Sequence, residues 1–288
     1  MPRVTIGVPV YNAESLLDQC LENLAEQTFK DFKVIVLDNA STDGTRRVAE
    51  RFAARDSRFF YRRQPENRGA LLNFVDVLAM SDTPYFMWRA DDDRSDVNFV
   101  GELVRLLDAR PESALAVGLT VLDKRGRRRR KMFPQRWTGE PDALYRTRLL
   151  LGSRAQWIYG VFRTADVRGS LERVMGSYPH INAFDHLVLF PFLVSLRVVG
   201  TNATKFHTGF VDRPNAGSKE LLDPNRMSRE RQDFITFCRS EASRLGVGNL
   251  HAVLPFYAER SQRWSKISNA RLRVSLGEVP SGATKKYD

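Results

Sequence analysis

The sequence predicts an α/β fold, a mostly parallel central sheet with helices on both faces, followed by a helical C-terminal extension. Three observations predict it. Short apolar runs alternate with stretches of helical period from Val4 to about Ala109, the signature of repeated βα units. The connections between them are short, so successive strands lie side by side with right-handed crossovers and carry their carboxyl ends to one rim. The run Tyr85-Phe86-Met87-Trp88 is followed closely by three consecutive aspartates, Asp91, Asp92 and Asp93, as when a buried strand reaches the rim where open α/β sheets bind ligands.

Composition sets the outer bounds. With 288 residues, 42% hydrophobic and 27% charged, the chain can bury a sizeable core and is not globally disordered. A net charge of +11 favours anionic partners: nucleotides, acidic membrane or nucleic acid. No aromatic interleaving or binding module accompanies the basic residues, so nucleic acid is not expected. The two cysteines, Cys20 and Cys238, show neither metal spacing nor a disulfide framework. The first strand begins at once, without a signal-peptide pattern. Leu187 to Val199 is broken by Pro191 and Arg197 and is too short to span a bilayer. A cytoplasmic protein is expected, with peripheral contact at the inner face of an anionic membrane left open.

The elements follow in order. Val4, Ile6, Val8 and Val10 alternate as in a strand, and Pro9-Val10-Tyr11-Asn12 ends it. From Glu14, the residues Leu16, Leu17, Cys20, Leu21, Leu24 and Ala25 keep a helical period. Phe32 to Leu37 is a second buried strand, stopping at Asp38; a loop through Thr45 and a helix to about Arg55 follow. Phe59 to Arg63 is a third strand, and Pro65 to Gly69 leads into a helix over Leu71 to Met80. After the Tyr85 strand comes a helix from about Val97 to Ala109. Ala114 to Leu122 reads as a strand, Asp123 to Gly126 as a hairpin turn, and Arg127 to Lys131 as a dense basic run. Asp142 to Leu151 reads as a helix, Gln156 to Phe162 as an aromatic strand, Phe184 to Leu196 as a helix, and Val198 to Phe206 as a strand ending near His207. Helices are expected near Met227 to Leu245 and Leu250 to Ile267, with a frayed tail from Ser281. The division falls into residues 1–215 and a helical extension, 216–288.

Tyr11, Asp38, Asn67 and Asp91 to Asp93 therefore meet on one rim. Asp38 can accept from a nucleobase N–H or a ribose hydroxyl, or it can cap the following loop as an Asx-turn. Tyr11 offers a ring for a base to stack on. Adjacent carboxylates repel and call for a counter-charge, commonly a divalent cation that also takes substrate phosphates. Together these groups describe a nucleoside-diphosphate site.

The segments Pro9-Val10-Tyr11-Asn12, Val36 to Thr45, Asn67-Arg68-Gly69 and Ala90-Asp91-Asp92-Asp93 resemble family 2 glycosyltransferases, in the family's order and approximate spacing. The resemblance is specific over about residues 3–100, weaker to about 213 and absent beyond. It implies the GT-A fold, a nucleotide-sugar donor (UDP favoured), a divalent metal, Mn²⁺ or Mg²⁺, and inversion at the anomeric carbon. It makes Pro9, Tyr11 and Glu14 the nucleoside wall, Asp38 the reader of the base, and Arg68 part of a loop closing on the nucleotide. Asp91 and Asp92 join the nucleotide site. Asp93 is the foremost metal ligand, with Asp91 and His207 as further ligands. One departure stands out: aligned on Phe99, the family's first acid falls on Ala90. The resemblance also puts a general base at Asp185, with His186 as its rival, and Ala183-Phe184 replaces the usual preceding acid. Trp157 and Tyr159 fall on the acceptor side. The acceptor is a sugar or a lipid-linked sugar, in surface-polysaccharide or glycolipid assembly. A catalytically weak nucleotide-sugar-binding protein and a nucleotidyltransferase are the alternatives, although no glycine-rich phosphate loop follows the first strand.

Overall fold

The computed structural model describes residues 1–124, 127–208 and 224–261. Among these residues the strands are β1 (Val4–Val10), β2 (Phe32–Asp38), β3 (Phe59–Arg63), β4 (Tyr85–Trp88), β5 (Arg94–Ser95), β6 (Leu115–Lys124), β7 (Arg127–Lys131), β8 (Val161–Arg163) and β9 (Val198–Thr208). The helices are α1 (Glu14–Ala25), α2 (Thr45–Arg55), α3 (Ala70–Ala79), α4 (Phe99–Asp108), α5 (Asp142–Gly152), α6 (Thr164–Ser177), α7 (Phe184–Val194), α8 (Pro224–Arg244) and α9 (Leu254–Ser261).

All nine strands join one sheet in the order β3-β2-β1-β4-β8-β6-β9-β5, with β7 added on β6. The first four are parallel, as the repeated βα pattern requires. The register sets Val10 beside Asp38, and Asp38 beside Arg63. The second half is mixed. β8 runs against both β4 and β6, so β6 points the same way as β4. β9 runs parallel to β6. The carboxyl ends of β1, β2, β4, β6 and β9 therefore share one rim.

Both faces of the sheet are covered. On one side Val4, Ile6, Val8 and Val10 pack against Leu17, Cys20, Leu21 and Leu24 of α1, Phe52 of α2 and Leu103 of α4. On the other, Ile35, Leu37, Phe86 and Trp88 pack against α3 and α7. A Cβ at Gly7 would lie 2.8 Å from Phe86 Cζ and 2.9 Å from Val77, so this strand position admits no side chain. Trp88, with no exposed surface, stacks on Phe74 at 4.2 Å and donates Nε1–H to Phe74 O at 2.9 Å. It fixes α3 against β4.

Two segments differ from the sequence expectation. Gln156 to Phe162 is not a strand throughout: Ala155–Tyr159 is a 3₁₀ turn and only Val161–Arg163 pairs with the sheet. Turn bonds from Trp157 N to Arg154 O and Gly160 N to Trp157 O hold it, and a Cβ at Gly160 would sit 2.4 Å from Ala116 O. The apolar run Trp157-Ile158 satisfies either state, and the close approach at Gly160 decides it. The short strand β5 and the helix α6 had no sequence expectation.

The C-terminal helices pack on the core. Phe234, Phe237, Cys238 and Tyr257 belong to the same apolar cluster as Leu187 to Val194. Tyr257 donates its hydroxyl to His186 O at 2.9 Å. The expected boundary near 215, Arg213 and the tail from Ser281 lie outside the described residues, as does the end of the helix expected to reach Ile267. No described helix is long and apolar enough to cross a membrane.

Replacing Trp88 by Ala removes this contact between β4 and α3. The expected loss is about 3–5 kcal/mol of unfolding free energy, read by urea denaturation with the protein otherwise unchanged.

Candidate functional site

A cleft of about 400 Å³ opens on the shared rim, and Tyr11, Asn39, Asn67, Asn73, Asp91 and Tyr159 line it. Its first wall is the end of β1 and the loop after β2. Asn12 and Ala40 adopt positive φ, 49° and 59°, to make these turns. A reciprocal lock holds the wall: Asn12 N–H donates to Ser41 Oγ at 2.9 Å, and Thr42 N–H to Asn12 Oδ1 at 2.9 Å. Tyr11 projects, 45% exposed, with its ring available for stacking. Pro9 also lines the cleft.

Glu14 does not line the cleft. Its Oε2 accepts from Gly44 N at 3.1 Å and its Oε1 pairs with Arg47 at 2.6 Å, closing the β2–α2 loop onto α1. A Cβ at Gly44 would meet the Glu14 carboxylate at 2.1 Å, so a side chain there would push Glu14 out of this contact. Arg68 pairs with Asp76 of α3 at 2.5 Å, at the edge of the cleft rather than across it.

Asp38 sits behind the wall with no exposed surface. Its Oδ1 accepts from Ser41 N at 2.8 Å, and its Oδ2 from Tyr61 Oη at 2.7 Å and Arg63 Nη1 at 3.0 Å. The Asx-turn and the Arg63 pair use the carboxylate internally. In this structure it fixes the end of β2 and is not presented to a ligand.

Asn73, absent from the sequence reading, is placed where an acceptor is open. It is 2% exposed on α3, and its Nδ2 donates to Leu37 O at 2.9 Å and Val10 O at 3.5 Å. Two backbone carbonyls fix the amide's orientation, since only the NH₂ can serve them. The opposite atom, Oδ1, is buried with no hydrogen-bond partner among the described residues. An unsatisfied buried acceptor costs about 1–3 kcal/mol, which a donor from a ligand would recover. The available signal was a lone amide inside the apolar helix ALLNFVDVLA.

The floor is the turn after β4. Asp91 and Asp93 are buried, 7% and 2% exposed, and Asp92 is half-buried. Burial pushes the Asp93 carboxyl up to about 7; a hydrogen bond from Thr208 opposes that shift, and the charge of Asp92 adds to it. Asp93 Oδ1 has no hydrogen-bond partner among the described residues. Beneath the turn lies Arg89, fully buried, which the sequence reading also passed over. It donates to Asn23 Oδ1 at 3.1 Å and Ser95 Oγ at 2.7 Å, and its guanidinium lies 5.3 Å from the Phe206 ring centre. Its charge acts on Asp93, so the acidic turn has a resident counter-cation.

The orphaned Asp93 oxygen beside two further carboxylates fits a divalent cation. No three His, Cys, Asp or Glu side chains among the described residues are gathered as a complete cage. That suits a metal which takes one or two carboxylates and completes its shell with water and substrate phosphates. His207, on β9, directs Nε2 at Asp96 Oδ1, 3.1 Å away. Its ring is thereby engaged outside the aspartate turn.

Asp185 opens α7, following Ala183 in left-handed conformation at φ 59°. It is half-buried, and burial pushes its carboxyl up to about 6. Tyr159 lines the cleft and feels the charge of both acidic regions. Its ring stacks on Phe206 at 5.1 Å, and the charges of both Asp93 and Asp185 reach its hydroxyl. Two of the expected residues lie in the core. Trp157 is 2% exposed and packs at 5.4 Å on Phe133, so it offers no face to a sugar. His186 is a core residue, 7% exposed, with its ring 5.8 Å from Tyr257. Burial and the charges of Arg260 and Arg154 lower it to about 4, which leaves it neutral and remote from base chemistry.

Against known proteins, the sequence profile described as Glycosyl transferase family 2 matches residues 5–166. The putative glycosyltransferase EpsE of Bacillus subtilis is 28% identical over 135 residues, 46% of this chain and 49% of its own length. The leading curated relatives are matched over about a tenth to a half of their own lengths. Among solved structures, S. aureus TarS 1–349 in complex with UDP-GlcNAc superposes with a TM-score of 0.67 at 18% identity, covering 96% of this chain and 77% of that one. The mannosyltransferase PcManGT from Pyrobaculum calidifontis, in complex with GDP-Man and Mn²⁺, gives 0.58 at 18% identity, covering 99% and 78%. These likenesses show the fold.

Asp185 carries a linkage consequence. Its folded pKa, about 6, exceeds the ordinary 3.8, so its ionisation opposes folding. Stability is greatest below the unfolded value and falls as pH rises through the folded one. Asp185→Asn is expected to be more stable than wild type at pH 7.5 by up to about 3 kcal/mol, the gap closing below about pH 4. Urea denaturation at the two pH values measures it.

Proposed function

The chain belongs to glycosyl transferase family 2, and from that premise we propose that it is an inverting glycosyltransferase that moves a sugar from a nucleoside-diphosphate sugar to an acceptor hydroxyl. The donor is UDP-linked by preference, and the setting is the assembly of a surface polysaccharide or glycolipid. The observation that carries the reading is one cleft on the rim lined by Tyr11, Asn73, Asp91 and Tyr159, with the charges of both Asp93 and Asp185 reaching the Tyr159 hydroxyl.

In this reading the base stacks on Tyr11, against Pro9. Asn73 Oδ1 accepts an N–H or O–H of the nucleoside, and Asp38 acts by holding the wall in place. Asp93 and Asp91 are the residues to hold a divalent cation, Mn²⁺ or Mg²⁺, whose contribution is to offset charge on the departing diphosphate. Arg89 keeps the turn from flying apart by its fixed positive charge. Tyr159 forms the floor between the donor sugar and the acceptor.

Asp185 then does the proton chemistry. The acceptor O–H gives its proton to the carboxylate while its oxygen bonds to the anomeric carbon. The bond from that carbon to the diphosphate oxygen breaks on the opposite side, and the nucleoside diphosphate leaves with the electron pair. A single displacement inverts the centre. A carboxylate near 6 is a stronger base than an ordinary one and is still ionised at neutral pH. The catalytic unit takes in residues 1–215, and the C-terminal helices brace α7, the helix that carries the base.

The test is release of nucleoside diphosphate from a panel of nucleotide sugars with candidate acceptors and Mn²⁺. With a productive pair, the rate is expected to rise about tenfold per pH unit below about 6 and to level off above about 7. Asp185→Asn should lower turnover by about 10²–10⁴ while donor affinity is preserved. Near-normal turnover in that variant would remove Asp185 from the mechanism. Asn73→Ala should weaken nucleotide binding about tenfold, as the loss of one buried hydrogen bond predicts, with Asp93→Ala abolishing any gain in binding from metal.

A further inference from the structure

We propose that the β6–β7 hairpin docks the protein on an anionic phospholipid surface, with the mouth of the cleft turned toward the lipid headgroups. The function proposed above does not require such a surface, but the inference rests on that reading for the cleft's meaning. Arg127 to Lys131 form an unbroken basic run along β7, and Arg128, Arg129 and Arg130 are exposed. Met132, next in the chain, is 66% exposed and adds an apolar side chain.

The placement of this run is what points to a surface. β6 runs in the direction of β4, so the hairpin rises from the rim that carries the aspartate turn. The ladder with β7 continues to Lys124 and Arg127, two residues beyond the Leu122 and Thr208 pair, or about 7 Å. Thr208 is the residue that hydrogen-bonds Asp93. β7 also lies along the edge of β6 that β8 occupies lower down, at Leu115 and Ala116, and β8 in turn borders β4. The arginines therefore stand beside the cleft, on its β4 side. Positive charge also protects an edge strand from pairing with other chains, but single lysines serve for that. A run of five at the mouth of a cleft gives a polyvalent contact for phosphate headgroups, each charge strengthening binding about fivefold. A surface so engaged would lie across the mouth, where a lipid-linked acceptor is presented.

Co-sedimentation of the full chain with vesicles tests this. Binding is expected to vesicles of phosphatidylcholine with phosphatidylglycerol and not to phosphatidylcholine alone, and to weaken with salt. The variant R128Q/R129Q/R130Q should lose about a hundredfold in vesicle affinity, with its nucleotide binding unchanged as evidence that the site is intact. Equal binding to both vesicle types, retention of binding by the variant, or preference for an RNA oligonucleotide over the vesicles would each overturn the proposal. Failure of the glycosyltransferase reading shows separately, as wild-type protein that binds no nucleotide.

Discussion

Every group in the cleft is where it is because β1, β2 and β4 run in the same direction. Parallel pairing levels Val10 with Asp38 and brings the turn after Trp88 to the same rim. No local propensity could do this, since Tyr11, Asn39, Asn73 and Asp91 are far apart in the chain. The requirement is met by burial. β1 and β4 are covered on both faces, and α1 and α4 on one side with α3 and α7 on the other hold them in one orientation. Trp88 ties that packing to the site, because the helix it clamps carries Asn73.

The site is then paid for electrostatically. Asp93 and Asp185 both ionise less readily than ordinary aspartates because they are buried. Each holds its proton to a higher pH than an ordinary aspartate. The floor tolerates three neighbouring acids because Arg89 is sealed beneath them with neutral partners of its own. Buried, partly uncompensated charge is what a site keeps when a ligand is to complete it, and the orphaned oxygens of Asn73 and Asp93 are the same situation in two atoms.

Much of this was legible in the sequence. Apart from β5, the strands and helices from Val4 to Ala109 announce themselves through alternating periods, and the convergence of their ends follows from handedness. The fate of each carboxylate did not show. Asp38 and Glu14 stand at the expected places, yet their lone pairs are taken by Ser41, Tyr61, Arg63, Gly44 and Arg47. A sequence shows an acid at a strand end but not which donors reach it. Asn73 and Arg89 were hidden for the converse reason. Asn73 lies in a mainly apolar helix and Arg89 follows an apolar strand, and the meaning of each depends on what packs against it. Trp157 and His186 read as functional by residue type and are core by contact, because the 3₁₀ turn and the C-terminal helices cover them.

The C-terminal helices thus belong to the account of the site. Tyr257 bonds the backbone of His186, one residue from the proposed base, and Phe234 joins the cluster around α7. The rim is proposed as a nucleoside-diphosphate site that a metal would complete. Calorimetric titration of the wild-type protein with UDP, GDP, dTDP and CDP, with and without Mn²⁺, tests it most directly. One nucleotide, UDP first, is expected to bind well above the others, and Mn²⁺ to strengthen it. Folded protein that binds none of the four with the metal present would contradict it.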